Sequence, residues 1–400
     1  MSDNEGNGER GRGAAVQVPR RRWKRAVGYT LGGVLVLGAV GGGWVYRHLN
    51  DNIRSVDLDA ALGDERPHAP VGMPVGSGGP SASAAAGEGA GGGALNILVL
   101  GTDSRDGEEN RRLGGGPPGG ARSDTAMVVH LDEERASATV VSVPRDTLVT
   151  RPACPLPDGG TTAVAQGVMF NSAYAVGGPV CAVKTVEAMS GVPVDHYLEI
   201  DFAGFADLVD ALGGVTVELE QPIDDDKSHL TVDAGVQRLY GEDALALART
   251  RHGIGDGGDL GRIGLQQKLV TALLEQVAEA DLLTDPVRLY QVADAATSGL
   301  TADTGLDSLS ELAAFARTLR DLTPEAVRTV TLPVVPAPSD RNRLVPDEPE
   351  AGDLWASLLP GAEPFPDPTP TPTPTSASTP PSTAAPSSSP SSPRRDVPVQ

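Results

Sequence analysis

Three short segments of this chain pair an aspartate with an arginine beside what reads as a strand end. Gly101-Thr102-Asp103-Ser104-Arg105 follows the apolar run Leu95 to Leu100. Arg122-Ser123-Asp124-Thr125 precedes a Val-rich run, and Pro144-Arg145-Asp146 follows another. Loops at strand ends are where open α/β sheets place ligand-binding groups. A fourth segment adds Arg249, Arg251 and Arg262, with Gln266 one helical turn beyond Arg262 and on the same helix face.

Converging guanidinium groups with two carboxylates suit a phosphate ligand and a divalent cation. Arginine forks match phosphate oxygens bidentately. Hard cations such as Mg2+ take one or two carboxylates together with phosphate oxygens and water. The competing explanation is surface salt bridging, which is common where nearly every basic residue is Arg and only Lys24, Lys184, Lys227 and Lys268 are lysines. Gly253-Ile-Gly-Asp-Gly-Gly258 matches GxGxxG but follows Arg-His rather than a strand, so a dinucleotide site is set aside. There is no P-loop, nucleophile elbow or zinc signature.

The elements that must hold these groups are legible as a pattern. Strands are expected at Leu95 to Leu100, Thr125 to Leu131, Ala138 to Val143, His196 to Ile200, Val215 to Leu219 and Val327 to Leu332. The polar stretch Asp132 to Ser137 makes the second and third an antiparallel hairpin. Helices are expected at Phe170 to Val176, Val180 to Met189, Phe202 to Leu212, Gly241 to Ala248, Leu265 to Ala280, Pro286 to Thr297 and Leu306 to Leu319. The 3.6-residue periodicity of Phe202, Phe205, Leu208, Val209 and Leu212 ends at Gly213-Gly214, a helix stop. This alternation predicts an α/β fold, a mixed central β-sheet with helices on both faces.

The chain has 400 residues and a formal net charge of −21, with 49 Gly and 34 Pro. So much Gly and Pro places part of it outside any packed core. The acidic balance argues against a nucleic-acid partner. Residues 1–25 read as a basic cytoplasmic stub. Residues 26–46 are uncharged and bracketed by Arg25 and Arg47, which predicts a single retained transmembrane helix. A cleaved signal peptide and a buried core helix are the alternatives. The basic flank puts the N-terminus in the cytoplasm and the remainder outside the cell membrane. Residues 47–94 read as a flexible spacer, 95–335 as the folded domain and 336–400 as a Pro/Ser/Thr-rich disordered tail. In an oxidising compartment Cys154 and Cys181 read as a disulfide, with two buried thiols as the alternative.

The order of these segments resembles the LytR-CpsA-Psr family. The resemblance is carried by Asn96 to Arg105, Arg122 to Thr125, Ser142 to Asp146 and Asn171-Ser-Ala-Tyr174. It continues through Val194 to Val217, Leu239 to Ala246 and Arg249 to Gln267. It implies an extracytoplasmic αβα domain acting on a polyprenyl-pyrophosphate-linked glycopolymer. The implied activity is a Mg2+-dependent phosphotransferase that joins the polymer (a teichoic acid, an arabinogalactan or a capsule) to peptidoglycan. The alternatives are a polyprenyl-pyrophosphate pyrophosphatase and a non-enzymatic envelope regulator.

By position, the resemblance makes Asp103 and Asp124 the Mg2+ carboxylates. It makes Arg122, Arg145, Arg249, Arg251, Arg262 and Gln266 pyrophosphate-binding, with Arg105 a further motif residue. Arg145, Arg122 and Asp124 are the residues expected to carry catalysis. The departure is Leu265, where the family often has another Arg. A lipid tail would lie along the Phe202–Leu212 and Leu265–Val277 helices, unless those residues are simply core.

Overall fold

The computed structural model describes residues 40–63, 93–103, 110, 112–113, 123–156, 159–251, 259–280, 282, 284–359, 361–362 and 365. The expected cytoplasmic stub, most of the expected transmembrane run, the Gly-rich part of the spacer and nearly all of the tail beyond 365 lie outside them. Among the described residues no helix is long and apolar enough to cross a membrane.

A helix, α1 (40–52), leads into strand β1 (Arg54–Val56) and helix α2 (Leu58–Leu62). Then come β2 (Leu95–Thr102), β3 (Ser123–Leu131), β4 (Ala138–Ser142), β5 (Leu148–Arg151) and β6 (Ala165–Met169). Helix α3 (Asn171–Ser190) precedes β7 (His196–Asp201) and α4 (Phe202–Ala211). Four small strands, β8 (Val215–Leu219), β9 (Ile223–Asp225), β10 (Leu230–Val232) and β11 (Gly235–Leu239), lead to three helices. These are α5 (Gly241–Arg249), α6 (Asp259–Glu279) and α7 (Pro286–Ser298). The last elements are β12 (Leu300–Asp303), α8 (Leu309–Thr318), β13 (Val327–Thr331), β14 (Val334–Ala337), β15 (Asp340–Pro346) and α9 (Glu348–Ala356).

Among the described residues seven strands form the central sheet, in the order β1-β12-β7-β2-β3-β4-β13. It is mixed: β2 runs parallel to β7 and antiparallel to β3, and the β3–β4 hairpin is antiparallel as expected. Strand β2, the central one, is apolar on both sides because both its faces are covered. On one face Tyr174 of α3 bonds Glu199 of β7. On the other, Gln266 of α6 reaches Thr125, and Phe315 of α8 packs on the cluster of Ile97, Leu131 and Ala138.

Local sequence explains the joints that matter. Asp201 caps α4 by accepting from the Gly204 amide at 2.8 Å. The helix ends where Gly213 and Gly214 take φ of 82° and 91°. The two helices expected at Phe170–Val176 and Val180–Met189 run on as α3 across a kink at Gly177 and Gly178, just before Pro179. Cys154 and Cys181 are disulfide-bonded, and the bridge ties α3 to the loop after β5.

Two boundaries differ from the sequence reading. Residues 47–63 are built into the domain rather than into a spacer. Leu49 is buried, Asn52 donates to Asp294 at 3.0 Å, and β1 is the edge strand beside β12. A three-residue strand carries too little periodicity to be read from sequence. Likewise 336–359 is not tail. The β14–β15 ribbon and α9 continue the fold, with Leu354, Trp355 and Leu358 buried. Its prolines read as breakers, yet Pro336 and Pro346 sit in a two-stranded ribbon and Pro349 in the first turn of α9, where proline is tolerated.

Candidate functional site

The site is assembled where β2 ends and β3 begins. Thr102 pairs with Ser123 and Gly101 with Thr125, so Asp124 is the extra residue of a β-bulge. A bulge turns a side chain out of the regular alternation, which is a common device beside ligand sites. Asp103, one residue past β2, lies at the same sheet edge. The register thus brings two carboxylates that are 21 residues apart in sequence to adjacent strand ends.

Arg145, in the turn after β4, forms an ion pair with Asp124 through Nη1. Its Nε lies 3.6 Å from Asp259 and 3.9 Å from Asp146. Arg262, one turn into α6, pairs with Asp259 and is 3% exposed. Burial pushes the Asp259 carboxyl up from its ordinary value while Arg262 and Arg145 pull it back down. Burial also lowers Arg262, and Asp259 opposes that shift. Arg145 Nε, Arg262 Nε and both Asp259 oxygens are buried without a hydrogen bond of good geometry. Such orphaned donors at the end of an arginine pair suit an anion with several oxygens.

A cavity of about 450 Å³ opens beside them. One end is polar, formed by Asp124, Arg249, Arg251, Arg262 and Gln266. The other is apolar, formed by Val99, Met127, Phe205, Leu208, Leu269 and Leu273. Arg249 lies over the Phe202 ring at 5.0 Å, a cation–π contact that sets its direction. Gln266 donates to Thr125 at 2.9 Å and to the Ala248 carbonyl at 3.0 Å, tying α6 to the sheet.

Of the residues singled out from sequence, Asp124, Arg249, Arg251, Arg262 and Gln266 line this cavity. Arg145 stands behind Asp124 as its partner, and Asp103 lies at the neighbouring strand end. Arg105 and Arg122 lie outside the described residues. Leu265 packs in the core with Val209, Val215 and Leu247 and does not line the cavity, so the departure there removes no group from the polar end. The two expected lipid-facing helices divide their faces: Phe205, Leu208, Leu269 and Leu273 line the cavity, whereas Val209 and Leu265 are core.

Sequence reasoning gave no role to Asp259, Lys227 or Arg343, and marked Asp146 only as the carboxylate of its segment. Asp259 stands within a quoted segment, three residues before Arg262, and that helical spacing was its available signal. Arg343 of β15 bonds Asp146 at 3.1 Å, and it lay in a stretch read as tail. Lys227 lines the cavity from the β9–β10 turn, and nothing near it in sequence marks it.

The LytR_cpsA_psr family model matches residues 49–358. The chain is 34% identical to the cell wall biosynthesis protein LcpA of Corynebacterium glutamicum over 60% of its own length and 50% of that protein's. It is also 34% identical to the polyisoprenyl-teichoic acid–peptidoglycan teichoic acid transferase TagU of Bacillus cereus, over 48% of this chain and 55% of that one. It therefore spans about half the length of these relatives. A solved LytR-Csp2A-Psr enzyme from Actinomyces oris superposes with a TM-score of 0.51 at 26% identity, covering 66% of this chain and 90% of that one.

Proposed function

This chain belongs to the LytR_cpsA_psr family, and we propose that it is a phosphotransferase moving a glycopolymer from a polyprenyl-pyrophosphate carrier onto peptidoglycan. The observation that carries this reading is the two-ended cavity: an arginine-lined end continuous with an apolar one. A lipid pyrophosphate has the same two ends. The activity named for the TagU relative supports the acceptor and the class of cargo.

In this reading the pyrophosphate lies across Arg145, Arg249, Arg251 and Arg262, with Gln266 fixing its register and Arg105 and Arg122 adding charge. The lipid chain runs between α4 and α6. A wall hydroxyl attacks the phosphorus nearest the donor sugar. The bond from that phosphorus to the bridging oxygen breaks, and polyprenyl phosphate leaves. The arginines stabilise charge developing on the equatorial and bridging oxygens. Whichever of Asp103 and Asp124 a cation does not fully engage takes the proton from the attacking hydroxyl.

Asp103 and Asp124 fit a divalent cation by chemistry and placement: two hard oxygen donors on adjacent strand ends beside a phosphate-binding mouth. Among the described residues there is no cluster of three or more such ligands, so phosphate oxygens and water would complete the shell. Mg2+ there would neutralise phosphate charge and orient the donor. The uncharged run 26–46 would anchor the protein in the cell membrane, with the domain outside.

The test is transfer of labelled lipid-pyrophosphate saccharide to peptidoglycan oligomers with Mg2+. Arg145→Ala and Asp124→Ala are expected to lower the rate by about 100-fold or more, the scale of losing one charge-stabilising donor. Phosphate release without polymer transfer would replace the ligase reading by the pyrophosphatase. Full activity in both variants would remove the site assignment.

A further inference from the structure

Glu199 of β7 is 7% exposed and sits on the sheet face opposite the cavity, beneath α3. Its Oε1 accepts from the Thr102 hydroxyl at 2.8 Å and from the Tyr174 phenol at 2.7 Å, and its Oε2 accepts from the Tyr197 phenol at 2.5 Å. Burying a carboxylate is costly, and here three hydroxyl donors offset the lost water. The mechanism above makes no use of this cluster.

Its position relative to the site gives it a role. Thr102 is fully buried and immediately precedes Asp103. Thr102 also pairs with Ser123, the residue before the Asp124 bulge. Holding Thr102 to Glu199 fixes the strand end from which Asp103 leaves the sheet. Gly101 and Thr125, paired across the same strand end, line the cavity. Tyr174 lies within electrostatic reach of Asp103. Burial foremost, then Glu199 and Asp103, push its phenol far above the ordinary value, so it stays a donor.

We propose that Glu199, acting through Thr102 and Tyr174, is a positioning residue that fixes the strand end carrying Asp103 beside the cavity, where Asp103 holds the divalent cation. The inference rests on the Mg2+ reading above. It predicts that weakening the cluster weakens metal affinity more than it weakens the chemistry at saturating metal.

The experiment uses the full chain in detergent, with Mn2+ alone as the probe and free Mn2+ read by electron paramagnetic resonance. Wild type, Glu199→Gln, Tyr174→Phe and Asp103→Asn are compared, with thermal unfolding recorded for each. Glu199→Gln is expected to raise the Mn2+ Kd about tenfold, the scale of losing a partner that orients a metal ligand. The Mg2+ concentration for half-maximal transfer should rise by the same factor, with kcat at saturating Mg2+ little changed. A lower unfolding temperature with unchanged Mn2+ affinity, while Asp103→Asn binds weakly, overturns the inference and leaves the metal reading standing. Affinity unchanged in Asp103→Asn, or no Mn2+ binding by wild type, overturns both, and the transfer assay then judges the phosphotransferase separately. Should Glu199→Gln fail to fold, Tyr174→Phe removes a single hydroxyl and carries the same prediction in smaller measure.

Discussion

Arg145 is flanked by Asp124, Asp146 and Asp259, and Arg262 leans on Asp259 as well. In the free protein the chain's own acids thus neutralise the guanidinium groups that a phosphate would meet. Removing one member of such a buried set leaves an uncompensated charge, commonly about 3–5 kcal/mol. A second carboxylate works differently. Burial opposes ionisation of Asp303, but His196, the Tyr197 amide and the Gly305 amide hold its pKa below the ordinary 3.8. A depressed carboxyl pKa adds stability that is complete above the unfolded value and lost as pH falls through the folded one. Asp303→Asn should therefore be less stable than wild type at neutral pH and lose less further stability below pH 3.8. Urea midpoints across that range would show it, and parallel acid limbs would refute it.

At the scale of elements, the site depends on how closely α4 can approach the turn between α7 and β12. A Cβ on Gly204 would fall 2.5 Å from the Gly299 Cα, which is backbone and cannot swing aside. Asp201, which caps α4 and lines the cavity, touches the same joint: its amide donates to the Gly299 carbonyl at 3.1 Å. Gly204→Ala is expected to cost about 1–3 kcal/mol, the usual range for overpacking. Chemical denaturation measures this, and a neutral outcome would mean that α4 can shift outward freely. Gly352→Ala is a control, since nothing lies within 4 Å of a Cβ there.

At the scale of the molecule, the domain is longer at both ends than its strand and helix signals suggest. The 47–63 segment closes one edge of the sheet, and α9 buries Trp355 and Leu354. A chain ending at residue 335 would lose the α9 contacts and the Arg343–Asp146 pair. It should express poorly or melt well below a chain ending after 359, by circular dichroism. Equal melting temperatures would show 336–359 to be dispensable. The Cys154–Cys181 bridge, spanning a separation of 27 residues, stabilises the loop it closes by about 3 kcal/mol in the chain-entropy account. The −21 charge also takes on a local meaning at this scale. An acidic surface repels anionic lipid and polymer, and Arg249, Arg251 and Lys227 are cations that the cavity sets against that repulsion.

Much of this was legible in the residues alone. The apolar run of β2, the β3–β4 hairpin, the period of α4 with its Gly213-Gly214 stop and the shared helix face of Arg262 and Gln266 are local patterns, and local patterns survive folding. The order of the Asp–Arg segments likewise sufficed to point to the family. Other features needed the tertiary structure because they join residues distant in sequence. The bulge that turns Asp124 out depends on register between two strands. The Asp259 bridge depends on α6 meeting the turn after β4. Arg343 arrives from a ribbon whose prolines disguise it, and Glu199 is an ordinary strand acid until Thr102, Tyr174 and Tyr197 close around it. Sequence determined which groups are present and which elements carry them. Only the packing of those elements decided which groups share a cavity, since distance and burial are properties of the assembled fold.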